Sequence, residues 1–362
     1  MKFSDVVIIG GGPAGMSAAL AAAEAGVRVT MMDRFSEPGG QLVKQTHRFF
    51  GSEHERAGTR GIEIVEILRK QIEENPLIEV KKNTDVLGIY SDRVITFEED
   101  HVYGRMTAGK IIIATGASEK MLQFENNDLP GVYGAGAVQT LMNVYGIQPG
   151  QRVLMIGAGN IGLIVSYQLL QAGAQVAAIV EAAPRIGGYK VHASKVRRFG
   201  VPIYTKTTIK AALGDHRVTG AVLADMDDKF QIIPGTEREI EVDTICIAVG
   251  LAPLSELLVH SGAEMHYVPQ LGGFVPVRDE YLETTAPGVY VAGDVSCIEE
   301  ATAAMLEGSI AGVSAAIASG MNRPELIAKR EEFVEQLAIL RSGATGKKIR
   351  DGLKLIARRE QN

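Results

Sequence analysis

DVVIIGGGPAGMSAALAAAEAGVRVTMMD, residues 5–33, joins an apolar run, a glycine turn, an alanine-rich segment of helical pattern, a second apolar run and a closing aspartate. The run to Ile9 is apolar at nearly every position, as expected of a strand covered on both faces of a parallel sheet. Gly10, Gly12 and Gly15 follow at G-x-G-x-x-G spacing, with Pro13 and Ala14 inside the turn. In such a unit the first glycine makes the turn and the second lets backbone approach a pyrophosphate. The third lets the helix lie close to the strand. The free N–H groups and dipole at the helix start favour negative charge. An acid about 20 residues on, here Asp33, accepts hydrogen bonds from an adenosine ribose. A glycine turn used only for packing is the alternative, and the complete strand–helix–strand–acid order argues against it.

The same order recurs. Arg152–Ile156 is an apolar run, and Gly157, Gly159 and Gly162 repeat the spacing around Asn160 and Ile161. A helix pattern then extends to Gln171, and a run from Ala174 ends at Glu181. A second nucleotide site is expected there, although such a domain can persist as scaffold after losing its ligand. Both units close alike, with an apolar strand running into Ala114-Thr115-Gly116 in one and Ala248-Val249-Gly250 in the other. These junctions predict an α/β protein of two Rossmann-like units (doubly wound, three-layer ββα), one inserted in the other. An FAD domain spans 1–120 and 248–325, an NAD(P) domain spans 121–247, and 326–362 form a helical, basic tail. The stretches 83–90, which contains Val86, and 93–98 read as extra strands of the first domain.

Composition bounds the function. The 362 residues are 46% hydrophobic and 22% charged, which suits a globular chain of two or three units. A net charge of −6 argues against nucleic acid as partner. The N-terminus enters a strand directly, and the apolar stretch 13–25 is broken by Glu24 and too short to span a bilayer. A cytoplasmic protein without a membrane span is the expectation. Two cysteines, Cys246 and Cys297, make neither a disulfide framework nor a zinc site, and no histidines pair at ligand spacing, so no metal is expected.

With these motifs the chain resembles the two-dinucleotide-binding-domain flavoproteins, the superfamily of thioredoxin and glutathione reductases. TAPGVYVAGD, Thr285–Asp294, resembles that family's second FAD motif, in which the aspartate binds the ribityl chain; Gly293 and Asp294 carry the likeness. The helix pattern from Glu300 and Ala301 would aim its N–H groups at the flavin pyrimidine edge. Gly39-Gly40-Gln41-Leu42 is similar to the loop of the thioredoxin-reductase branch that passes beside the flavin. The resemblance implies FAD contacts at Gly10, Gly12, Pro13, Ala14, Gly15, Asp33, Arg34, Gly40, Gln41, Leu42, Val86, Thr115, Gly116, Gly293, Asp294, Glu300 and Ala301. For the nicotinamide nucleotide it implies Gly157, Gly159, Asn160, Ile161, Gly162, Glu181 and Gly250. Glu181 favours NAD over NADP, because a carboxylate bonds the ribose 2′-hydroxyl and repels a 2′-phosphate, while Arg185 nearby would soften that preference.

The departures narrow the reading. No cysteine stands between Met1 and Ile245, so both dithiol arrangements of the disulfide reductases are absent. GVYGAGAVQTLMN (131–143), VGLAPLSELL (249–258) and AGDVSCIEEA (292–301) look like the NAD/FAD subunit of multi-subunit dehydrogenases of amines and amino acids. That group includes subunits of dye-linked proline dehydrogenase, sarcosine oxidase, opine oxidase and hydrogen cyanide synthase. The resemblance implies an electron-relay subunit, hydride passing between nicotinamide and FAD with no catalytic side chain, and a partner that is itself a second flavoprotein. This chain lacks a cysteine-rich 2Fe–2S segment, so any cluster belongs to an iron–sulfur partner. An autonomous NADH-dependent reductase or oxidase of a small acceptor or oxygen, and a flavin-bearing scaffold without NAD, stay open.

Three features remain. Cys297 reads as a buried filler rather than a reactive thiol, and Cys246 as strand packing. Lys44–Phe50, KQTHRFF, is either an acceptor or partner contact or a loop whose Phe49 and Phe50 pack inward. In the tail, Leu326, Val334, Leu337 and Leu340 mark one helix face and Gly343 breaks it. The basic residues Lys347, Lys348, Arg350, Lys354, Arg358 and Arg359 follow. Partner docking and packing on its own chain are both open for this segment.

Overall fold

The computed structural model describes residues 1–49, 56–344 and 346–358; Phe50 and Arg359 lie outside them. Two compact units are present, Met1–Ser118 with Ala252–Asn362, and Glu119–Leu251. The C-terminal segment therefore belongs to the first unit, and the return crossing falls at Leu251/Ala252.

The first unit begins with β1 (Lys2–Ile9), α1 (Pro13–Glu24), β2 (Val29–Met32), α2 (Gly61–Glu73), β3 (Ile78–Lys81), β4 (Thr84–Ile89), β5 (Val94–Glu99) and β6 (Val102–Ile113). The second contains β7 (Val132–Gly134), α3 (Ala135–Asn143), β8 (Arg152–Ile156), α4 (Asn160–Gln171), β9 (Gln175–Glu181), α5 (Lys190–Arg198) and β10 (Ile203–Thr205). It continues with β11 (Thr207–Leu213), β12 (Gly220–Asp225), β13 (Arg238–Glu241) and β14 (Thr244–Ile247). The chain then completes the first unit with β15 (Met265–Val268), β16 (Gly273–Pro276), β17 (Val289–Val291), α6 (Ala301–Ala318), α7 (Pro324–Leu340) and α8 (Lys347–Leu353).

In the first unit β3, β2, β1 and β6 run parallel in that order, and β17 joins the C-terminal part of β6 in parallel. The N-terminal part of β6 instead pairs antiparallel with β5, and β5 with β4. The second unit repeats the plan: β10, β9, β8, β14 and β7 form an all-parallel sheet, and β11–β13 an antiparallel one. Both are Rossmann-like α/β units, with helices on one face of the parallel sheet and antiparallel strands on the other.

Alternation along the central strands explains why they are apolar throughout. Val6 and Ile8 face α1 and α6, while Val7 and Ile9 face the opposite layer with Phe97 and Ile111. In β8, Val153 and Met155 face the helices, and Leu154 and Ile156 the antiparallel sheet.

The alanines of α1 have a packing reason. Gly308 and Gly312 of α6 lie so close to α1 that an added Cβ would collide with the carbonyl oxygens of Ala14 and Ala18. By length and composition α6 is apolar enough to cross a bilayer, but 72% of it is buried in the protein, which makes it a core helix.

The C-terminal segment packs on its own unit. Leu326 and Leu337 are buried, Val334 is partly buried against the same core, and Leu340 is exposed, so the apolar face is shorter than its spacing implies. Ile356 enters a core with Val268, Leu271, Val275 and Cys297. Its carbonyl accepts the Arg278 N–H (3.0 Å), and Arg358 N–H returns a bond to Arg278 (2.9 Å). Lys347, Lys348 and Lys354 stay exposed.

Gly308→Ala should force α1 and α6 apart. We expect a loss of about 3 kcal/mol in urea-denaturation stability, whereas Gly320→Ala, with no atom near its Cβ position, should lose clearly less through its positive φ alone. Equal losses would refute the close-packing account.

Candidate functional site

The glycine turn of the first unit is built from both sides. Gly10 ends β1 at φ +106°, where an added Cβ would strike the Ala114 carbonyl. Gly15 lies against the Gly10 carbonyl just as tightly. Gly12 differs: its φ is −74°, and among the described residues an added Cβ would meet only Gly40 Cα, at 3.9 Å. It is the N-cap of α1, with Pro13 as the first helical residue and no side-chain cap. Ala14 is buried in the first turn.

Asp33, 6% exposed, accepts the Gly11 N–H at 2.5 Å and the Phe35 N–H at 2.8 Å. Burial raises its carboxyl above the usual range, against the pull of those two bonds. The next loop folds onto the turn: Gly39 N–H donates to the Gly11 carbonyl at 2.7 Å, and Leu42 behind Gly40 is fully buried. Gln41 is exposed. Arg34 is exposed and pairs with Asp85 at 2.9 Å, and Val86 is half-buried in β4 opposite Phe97. Past β6, Thr115 Oγ1 donates to the Leu254 carbonyl (2.8 Å), and the Gly116 carbonyl accepts the Leu254 N–H (3.0 Å).

At the end of β17, Gly293 takes φ +79° and its N–H donates to Glu307 Oε2 at 2.9 Å. Asp294 accepts the Glu299 N–H at 3.3 Å. Burial pushes its carboxyl up to about 7; that hydrogen bond opposes the rise, and the Glu307 and Glu299 charges add to it. Glu300 is the N-cap residue of α6, its side chain makes no capping bond, and Ala301 begins the helix. Because β1, β6 and β17 are adjacent and parallel, their carboxyl ends bring Gly10, Thr115 and Gly293 to one edge of the sheet, where open α/β sheets bind ligands.

The second unit reproduces this arrangement. Gly157 (φ +104°) lies against the Ala248 carbonyl and Gly162 against the Gly157 carbonyl, yet an added Cβ at Gly159 would meet no atom of the described residues within 4 Å. Gly159 caps α4, again without a side-chain bond. Glu181 accepts the Ala158 N–H and the Ala183 N–H, each at 2.9 Å, as Asp33 does for its own turn. Asn160 Oδ1 accepts the Tyr189 N–H (2.8 Å), and Ile161 is exposed on the first turn of α4. Gly250 takes φ +112° and accepts the Lys120 N–H at 2.9 Å. Arg185 is exposed.

Two sets of residues escaped the sequence reading. Gly187 and Gly188 form the second unit's counterpart of Gly39 and Gly40: Gly188 N–H donates to the Ala158 carbonyl at 2.9 Å, and Gly187 approaches Gly159 as Gly40 approaches Gly12. The signal was present, since each glycine pair follows its acid at the same spacing. The other set is a buried ionic cluster below Asp294. Glu307, 1% exposed, accepts from Arg278 (2.8 Å) and Arg341 (2.7 Å), and Arg341 also grips Glu299. Burial disfavours the charge on Glu307, but the two guanidiniums overcome it and hold the carboxyl below its usual range. No local pattern marks four residues so far apart in the chain.

Both cysteines are buried, one in each unit, and burial raises both thiols. Phe49 is buried and stacks on His47, so this part of the basic-aromatic loop packs inward. Among the described residues no group of three or more His, Cys, Asp or Glu could hold a metal ion.

A family profile described as pyridine nucleotide-disulphide oxidoreductase matches residues 4–320. The chain belongs to that family and is an oxidoreductase; membership implies FAD and a nicotinamide cofactor. Among curated proteins it is 28% identical to the A subunit of opine oxidase from Rhizobium meliloti (strain 1021), over 93% of this chain and 77% of the relative. It is also 28% identical to the alpha subunit of sarcosine oxidase from the same organism, over 83% of this chain but 30% of the relative. The HcnB subunit of hydrogen cyanide synthase from Pseudomonas aeruginosa is 26% identical over 94% of this chain and 77% of its own length. By structure, T. acidophilum thioredoxin reductase superposes with TM-score 0.72 at 24% identity, over 88% of this chain and 99% of that one. L-proline dehydrogenase from P. horikoshii gives 0.69 at 24%, over 92% of this chain and 59% of that one. These two likenesses establish the fold.

The raised Asp294 carboxyl has a measurable consequence. Unfolded, it titrates near 4, so between about pH 4 and 7 the folded flavin-free protein keeps a proton that the unfolded chain has lost, and stability falls as pH rises through that window. Asp294→Asn should remove this component. Its stability in urea melts, relative to wild type, should grow across the window by up to about 4 kcal/mol and then level off. A difference independent of pH would sink the assignment.

Proposed function

We propose that the first unit binds FAD along Gly10–Gly15 and Asp294, that the second binds NAD(H) at Gly157–Gly162, and that the chain is the electron-relay subunit of an amine or amino-acid dehydrogenase. The observation that carries the nucleotide reading is the state of the two middle glycines. Gly12 and Gly159 need to be glycine neither for φ nor for packing among the described residues. Each stands at a helix start without a side-chain cap, where backbone N–H groups suit a pyrophosphate. The residues present therefore fit both dinucleotides.

Asp33 and Glu181 orient the glycine turns through the Gly11 and Ala158 N–H groups. Each carboxylate has lone pairs left for ribose hydroxyls. A fixed carboxylate at Glu181 favours NAD over NADP, since a 2′-phosphate would meet its charge. Asp294 would hold the ribityl chain, and the start of α6 would offer N–H groups to the flavin pyrimidine edge. The bound cofactors supply hydride exchange between nicotinamide and flavin, so no protein nucleophile is required.

The relay role is supported by the relatives, which are named as subunits of opine oxidase, sarcosine oxidase and hydrogen cyanide synthase. Only one cysteine stands in either unit, so neither unit holds a dithiol to receive the electrons. We therefore propose that the electron partner is a separate flavoprotein, with an iron–sulfur protein as a further one.

Mixing the purified chain with NADH under anaerobic conditions should bleach flavin absorbance near ~450 nm within one turnover, and NADPH should act more slowly. Absence of bleaching with FAD bound would remove the relay reading. Gly12→Ala should fold like wild type but bind FAD at least about tenfold more weakly, and Gly159→Ala should do the same for NADH alone. Wild-type affinity in both would remove the cradle assignment.

A further inference from the structure

The first unit encloses four charges that the proposed chemistry does not use. Arg341 follows α7, outside the nucleotide-binding elements, and its carbonyl is held by the Arg350 guanidinium of α8. Its own guanidinium forks. Nε donates to Glu299 at 2.8 Å and Nη2 to Glu307 at 2.7 Å. These two residues in turn grip the Gly293–Asp294 turn from its two ends: Glu307 accepts the Gly293 N–H, and the Glu299 N–H donates to Asp294.

We propose that Arg341 is a positioning residue of the flavin site, through which the C-terminal segment sets where the Asp294 carboxylate stands. This rests on the reading that the first unit binds FAD. A planar fork is needed because one donor group must bond two carboxylates in a fixed geometry; an ammonium on a flexible stem lacks that geometry. Because all four groups are buried or nearly so, water cannot replace the fork when it is lost. Arg278 completes the cluster from the Glu307 side and balances its charge, giving two cations and two carboxylates.

The test measures FAD affinity by flavin fluorescence at a temperature where far-UV circular dichroism shows each variant folded. Arg341→Lys should weaken FAD at least tenfold, with NADH affinity within twofold of wild type. Lys329→Met, which removes the exposed α7 pair to Glu24, should leave FAD affinity unchanged. The decisive readout is a double-mutant cycle. If Arg341 acts through Asp294, adding Arg341→Lys to Asp294→Asn should cost little further affinity. A merely structural role would give additive losses and overturn the inference, as would wild-type affinity in Arg341→Lys. Should Arg341→Lys not fold, Glu299→Gln carries the same cycle with the same two outcomes. A wild-type chain that takes up no FAD would instead remove the flavin reading itself, and this inference with it.

Discussion

One carboxylate in each unit ties the glycine turn to the sheet. Asp33 and Glu181 stand at or just past the end of the second strand and accept the N–H of the residue between the first two glycines. A buried N–H left without a partner costs about 1–3 kcal/mol, and a turn that projects its donors toward a ligand has few other ways to satisfy this one. The acid is thus needed by the turn itself. Ribose recognition of the kind proposed would be an addition to a role already present in the protein alone, since one oxygen can serve both. That accounts for the similar distance from turn to acid in the two units: one helix and one neighbouring strand must be traversed before the chain returns to the same edge.

The turns also show that three glycines of one motif answer to different constraints. The first meets a left-handed backbone and a carbonyl of the adjacent strand. The third meets the carbonyl of the first. Both are requirements of the fold. Among the described residues the middle glycine meets neither constraint and stands at the N-cap of its helix. The same division appears in both units. Two independent copies of the same spatial exception weigh more than either motif.

Much of this was legible in the chain because it is local. The parallel core, both turns, both acids and the closing strand ends are read from consecutive residues whose spacing follows strand and helix periods. Less local features were missed for physical reasons. Helix α2 has Arg60 rather than Ser, Thr, Asp or Asn at its N-cap, with Glu63 accepting the Arg60 N–H at 3.0 Å, and begins within three residues of Gly58, so its start carries a weak signal. The antiparallel strands β11–β13 lie outside the glycine-turn repeat, and β13 carries three charges in four residues, which weakens its strand signal. Leu340 has the spacing of the buried face of α7, but the helix ends there and the side chain is exposed. The pair Gly39-Gly40 was read from the sequence, and its counterpart Gly187-Gly188 was legible in principle, once the repeat was followed past its acid.

The ionic cluster is the opposite case. Arg278, Glu299, Glu307 and Arg341 belong to a β-segment, a turn, a helix and a helix end, and only tertiary structure brings them together. Burying such a cluster is not in itself stabilising, because desolvation of each charge offsets its attraction to the others. An apolar replacement would suit a purely structural core at least as well. What charges supply that apolar groups do not is direction: Glu307 must face the Gly293 N–H, and the arginines fix which way it faces. The cluster therefore makes sense where a carboxylate's orientation matters more than its contribution to stability, and the residue next in the chain is Asp294.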